Sequence, residues 1–106
     1  MRIGQYTIKG QISQQPNEVL RRIINYQRWL EVGEVIETIA IAITPVTSPV
    51  LVISNLIIDP DGTRIAYNTS GGLDGCGYTV EFTVTTSVGQ VREDEVLIGI
   101  KEVLRG

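Results

Sequence analysis

The nine residues YTVEFTVTT, Tyr78 to Thr86, decide the fold class. Tyr78, Val80, Phe82, Val84 and Thr86 share one side of an extended chain, and Thr79, Glu81, Thr83 and Thr85 share the other. A period of two, bulky on one side and polar on the other, is the pattern of a half-buried β-strand. The stretch is approached through SGGLDGCG, Ser70 to Gly77, which holds four glycines and the chain's one cysteine, Cys76. It is left through Ser87-Val88-Gly89-Gln90, a hairpin-turn signal.

Strands follow in both directions. Downstream, a last strand spans roughly Val91 to Val103, with Glu93-Asp94-Glu95 near its start and Val96, Ile98 and Ile100 as its apolar face. Upstream, Asp59-Pro60-Asp61-Gly62 is a tight turn, because proline presets φ, the aspartates bond nearby backbone and glycine accepts positive φ. Thr63 to Thr69 is its return strand. Before it come two short apolar runs, Val50 to Ile53 and Leu56-Ile57-Ile58, separated by Ser54-Asn55. Val35 to Thr44 is a strand in which Ile39, Ile41 and Ile43 alternate with small residues, ended by Pro45. Asn17 to Trp29 fits two readings. Asn17 can cap a helix bearing Val19, Leu20, Ile23 and Ile24, and the same residues form a strand with Leu20, Arg22, Ile24 and Tyr26 on one face. The strand is the preferred reading.

About seven strands separated by turns point to an all-β, immunoglobulin-like β-sandwich of antiparallel strands. Tyr78, opening a late strand after a tight glycine turn, fits a tyrosine corner. The 106 residues make one domain. Residues 1–15 read as a short N-terminal arm and residues 16–106 as the sandwich.

Composition removes several functions. The chain has no histidine, which takes away the commonest general base and the commonest metal ligand. A single cysteine forms no intramolecular disulfide, so synthesis in a reducing cytoplasm fits. Nine basic and twelve acidic residues, net −3, argue against a nucleic-acid partner, which needs a basic face. No apolar run approaches the ~18 residues of a membrane span, so no membrane partner is expected. No long apolar region follows Met1-Arg2-Ile3-Gly4, so no signal peptide is expected either.

The candidate chemical sites are weak for stated reasons. Glycines cradle a phosphate when they open a helix, and here they open a strand. Cys76 has no base to activate it, and its nearest charge in sequence, Asp74, disfavours a thiolate. Asp59, Asp61 and Asp74 with Glu93-Asp94-Glu95 offer calcium ligands in principle, but without EF-hand spacing; turn chemistry and a solvated strand edge account for them. Carboxylates are plentiful for glycoside hydrolysis, and nothing sets two across a cleft. Trp29, Tyr6, Tyr26 and Tyr67 are the aromatics available for a sugar-stacking platform or a protein hot spot, and for Trp29 a core role is the better reading, since its neighbours Leu30 and Tyr26 are also bulky. No catalytic residue, cofactor or metal is expected. Tyr6, Ile8 and Ile12 in the N-terminal segment are the candidate protein-interface residues, since Tyr6-Thr7-Ile8 has strand character and an arm of this kind can add to a neighbouring subunit's sheet. A frayed terminus is the alternative.

Three blocks occur in order: QPNEVLRRIINYQRWLEVGEVIE; then a segment whose nucleus is Ser70-Gly71-Gly72, Gly75-x-Gly77-Tyr78-Thr79-Val80 and Thr85-Thr86-Ser87-x-Gly89-x-x-Arg92-Glu93-Asp94-Glu95; then a closing apolar strand. Over roughly Gln15 to Val103 the chain resembles the small immunoglobulin-like accessory proteins of tailed bacteriophages, described as fiber–tail adaptor or neck-region proteins, with related domains that decorate capsids. It departs from them at Cys76 and in the more apolar Val46–Ile58 segment. The resemblance implies a non-enzymatic virion structural protein, assembled in the bacterial cytoplasm and binding other virion proteins of the neck, tail, fiber or capsid, with self-association in a symmetric assembly. Capsid cementing and a carbohydrate-binding adhesion domain are the alternatives.

Overall fold

The computed structural model describes residues 7–102, with side chains from residue 13 onward. Seven strands follow one another: β1 (Thr7–Gln14), β2 (Val19–Asn25), β3 (Ile36–Thr44), β4 (Leu51–Ile58), β5 (Arg64–Gly71), β6 (Gly77–Thr86) and β7 (Val91–Ile100). They form a four-stranded sheet, β1-β7-β6-β3, and a three-stranded sheet, β2-β5-β4. That is an immunoglobulin-like order: β2-β5-β4 stand as B-E-D and β3-β6-β7 as C-F-G. Asn17–Trp29 is resolved in favour of strand. Residues 19–25 pair with β5 without a break, from Val19↔Ser70 to Asn25↔Arg64, because that register sends Leu20, Arg22 and Ile24 inward.

The structure corrects the sequence reading at three points. The strands are not all antiparallel, since β1 runs parallel to β7, from Thr7↔Asp94 to Gln14↔Ile100. The two runs on either side of Ser54-Asn55 are one strand, β4. One extra residue is absorbed between Ser54↔Asn68 and Ile57↔Ala66, where Asn55 takes a left-handed φ of 50°. Asparagine tolerates that conformation better than most residues. The acidic run is not all solvated either. Asp94 is fully buried, on the same side of β7 as Val96, Ile98 and Ile100, and pairs with Arg92 Nε at 3.2 Å.

The core lies where the two sheets face each other. Val80, Phe82 and Val84 of β6 pack with Ile65 and Tyr67 of β5 and with Val96 and Ile98 of β7. Tyr67 and Phe82 meet across the sandwich with ring centroids 4.9 Å apart. Burying a side chain of this size contributes about 1.5–3 kcal/mol, so these few positions hold the sheets together without a disulfide.

The glycine-rich approach to β6 has a structural reason. Gly71 and Gly72 both have positive φ. A Cβ at Gly71 would stand 2.7 Å from the Val50 carbonyl oxygen, and one at Gly72 would stand 2.8 Å from Ile100 Cγ1. The glycines therefore let β5 turn back beneath its neighbours, and no ligand is needed to explain them. Tyr78 closes the same turn as a tyrosine corner: the Leu73 N–H donates to its hydroxyl at 2.7 Å, and the hydroxyl also bonds that of Thr47.

The two long sides of the sandwich differ. Where β1 crosses to β2, the buried Gln14 side chain joins the sheets. Its amide donates to the Glu18 and Thr69 carbonyls, both at 2.9 Å, and its oxygen accepts from the Thr69 hydroxyl and from Arg22 at 2.9 Å. Where β3 and β4 run side by side no such clasp exists among the described residues. Ile39, Ile41 and Ile43 of β3 and Ile53, Leu56 and Ile58 of β4 pack on the core but stay half-buried. A shallow cleft lined by Ile39, Leu56 and Ile58 opens between them.

Candidate interaction surfaces

The domain is a rod of 51 × 25 × 23 Å, with its loops gathered at the two ends. At one end the β2–β3 connection meets the β6–β7 turn. Glu34 is buried there. Its carboxylate accepts from the Thr86 hydroxyl, from Gln90 Nε2 at 3.2 Å and from the Glu31 N–H at 2.8 Å. Ser87 and Val35 exchange two bonds, Ser87 N–H to the Val35 carbonyl at 2.8 Å and Val35 N–H to the Ser87 hydroxyl at 3.1 Å. The Gly33-Glu34 turn and the Thr85-Thr86-Ser87-x-Gly89 block, far apart in sequence, thus form one clamp. Beneath it the Arg92 guanidinium lies 5.5 Å from the Trp29 ring centroid while pairing with Asp94. Burial, and then the charge of Asp94, push the Tyr26 phenol far above its ordinary range, so it stays protonated. Val32 and Val88 project from this end into solvent.

The opposite end carries the β3–β4 connection and the glycine loop. Val46, Val50 and Leu73 are exposed on it. Cys76 is half-buried, with Sγ 3.6 Å from the Gly77 carbonyl, and packs against the core. The candidate calcium ligands do not converge. Asp59 sits in the β4–β5 turn and accepts from the Thr63 and Arg64 N–H groups, while Asp74, at the other end, accepts from the Glu102 N–H. Among the described residues no group of three or more His, Cys, Asp or Glu is placed to hold a metal ion.

Aromatic side chains supply no platform among the described residues: Tyr26, Trp29, Tyr67, Tyr78 and Phe82 are all buried. Of the sequence's interface candidates, Tyr6 lies outside the described residues. Ile8 and Ile12 belong to β1, opposite Glu95 and Ile98 in register, so residues 7–14 line β7 of their own chain.

What the sequence reading missed is the contrast between the two outer faces. On the three-stranded sheet, Ile23, Ala66 and Ile57 form one row across the strands, and Val19, Ser70 and Val52 form another. Ile23 is 65% exposed, Val19 63%, Ile57 52% and Val52 40%, although outward strand positions are ordinarily polar. Between the rows, Arg21 Nη1 donates to Asn68 Oδ1 and to the Asn55 carbonyl, both at 3.0 Å. The outward positions of β2, β4 and β5 include arginines and no carboxylate. On the four-stranded sheet the outward residues of β3, β6 and β7 are mostly threonine, alanine and glutamate, with Glu81 directly opposite Glu95 and Glu93 one step along. Those three strands carry no outward Arg or Lys. The alternation in Val19–Asn25 was the available signal for half of this; the bulge at Asn55 hid the rest.

No curated protein matches the chain. Residues 14–99, which include every clamp, corner and clasp described above, match the family described as podophage GP4 fiber-tail adaptor protein gp77, and the chain belongs to that family.

Proposed function

We propose that this protein is a non-enzymatic adaptor of a tailed-phage virion, assembled in the bacterial cytoplasm and placed at the neck or tail, where it joins a tail component to a fiber component. The observation that carries the reading, beside the family, is that exposed apolar side chains stand at both ends of a 51 Å rod: Val32 and Val88 at one, Val46 and Leu73 at the other. An adaptor needs two separate contacts, and loops held by a rigid sandwich supply them. The mechanism is binding alone. Asp59 and Asp74 are occupied in holding turns, Asp94 is buried against Arg92, and the cysteine has no histidine anywhere in the chain to activate it. Tyr6, Ile8 and Ile12 add the N-terminal segment as a third contact.

The test is a pair of double variants in pull-downs with the tail and fiber proteins of the same particle. Val32→Asp with Val88→Asp is expected to lose one partner, and Val46→Asp with Leu73→Asp the other. Retention of both partners by both variants would overturn the two-ended reading. A copy number matching the capsid lattice in purified particles would replace it with capsid cementing.

A further inference from the structure

We propose that copies of this chain associate with one another back to front, the outer face of the three-stranded sheet of one copy covering the outer face of the four-stranded sheet of the next. The inference does not rest on the adaptor reading, and the isolated protein tests it.

The occupant follows from charge and shape. The back face offers branched apolar side chains, Ile23 and Ile57 in one row and Val19 and Val52 in the next, around the cationic Arg21. An apolar outer face of this kind marks a surface that is covered in use. A two-fold pairing of backs would set Arg21 near the Arg21 of its mate, and a two-fold pairing of fronts would set Glu81 and Glu93 against their own copies. Like charges brought together cost several kcal/mol in an interface. Back to front, the signs are opposite. The front face also has the right relief: Ala40, Ala42, Thr79 and Thr83 are short, so a second sheet can approach to the usual ~10 Å and lay its isoleucines and valines over them. Glu81 and Glu93 stand outward on neighbouring strands, one step apart, and Arg21 of the next copy brings a charge of opposite sign to that row. A back-to-front contact is heterologous, so it closes into a ring where the rotation permits and otherwise runs on as a stack.

Sedimentation and light scattering of the purified chain test this, over concentrations up to about 1 mM, where even a weak interface associates. The wild type is expected to form species larger than a dimer, and these weaken as salt rises. Arg21→Glu and Glu81→Arg each weaken association about tenfold or more, and Ile23→Ser does the same without changing charge. The deciding arm is a mixture. Copies carrying Arg21→Glu and copies carrying Glu81→Arg, each impaired alone, restore assembly together, because every junction in an alternating series again joins opposite signs. That rescue also shows that both variants fold. A wild type that stays monomeric throughout, association indifferent to Glu81→Arg, or a mixture that fails to assemble would each overturn the proposal.

Discussion

The two long sides of the sandwich join the same pair of sheets by different means. On the β1–β2 side one glutamine does it. Gln14 uses both amide hydrogens and both lone pairs of its oxygen, so its hydrogen-bonding capacity is filled. On the β3–β4 side six half-buried aliphatic residues share the task. The difference is one of tolerance. A filled buried network loses heavily when any member goes, because the remaining groups are left dry and unpaired. A half-exposed apolar strip loses in proportion to the area removed.

The largest effect expected is therefore on the clasped side. Gln14→Ala takes the side-chain donor from the Glu18 and Thr69 carbonyls and the acceptor from Arg22, leaves the Thr69 hydroxyl only its longer bonds to Arg22 Nε and the Leu20 carbonyl, at 3.3 and 3.4 Å, and should cost about 3 kcal/mol, read as a fall of roughly 10–20 °C in Tm by calorimetry. Tyr78→Phe comes next, at about 2 kcal/mol by urea unfolding. It removes the hydroxyl that holds Leu73 and Thr47, and Thr47 belongs to the connection that closes one end of the β3–β4 side. Ile41→Ala, on the open side, should cost only about 1–1.5 kcal/mol in the same measurement, below the 2–5 of a fully buried site. If Ile41→Ala proves worse than Gln14→Ala, the comparison between the two sides is broken.

The smallest effect lies at the end of β4 and depends on pH. Desolvation raises the Asp59 pKa, but the Arg64 and Thr63 N–H groups and the Arg64 guanidinium outweigh it, and the carboxyl titrates below its ordinary 3.8. A folded pKa below the unfolded one means that the stabilisation is complete above 3.8 and disappears as pH falls through the lower folded value. Stability measured between pH 5 and pH 2 should show a shallow step that Asp59→Asn removes; an unchanged step would place its origin at another carboxylate.

How far the sequence could be read depended on whether each position was settled locally. β6 was legible residue by residue, since five alternating residues leave one way to bury a face. The tyrosine corner was legible for the same reason, its partner lying five residues away. Asp94 was misread although its parity with Val96, Ile98 and Ile100 already placed it inside; the charged run obscured the period. Gln14 could not be found, because Thr69 becomes its neighbour only when β1 and β5 are folded past each other. On the back face Val19 and Ile23 were readable as outward, but Ile57 was not. Regular alternation from Val52 would have turned it inward, and one left-handed asparagine reversed that.

The same asparagine governs how the domain can grow. A regular β4 would present a straight rank of unsatisfied amides at the margin of its sheet, a template along which strand after strand can zip. The bulge breaks that rank into two short lengths, and Arg21 holds the exposed Asn55 carbonyl from across the sheet. Strand addition is disfavoured at this margin, so a protein meeting this side would be read by side chains, whose identities can discriminate between neighbours, more than by backbone, which accepts any chain.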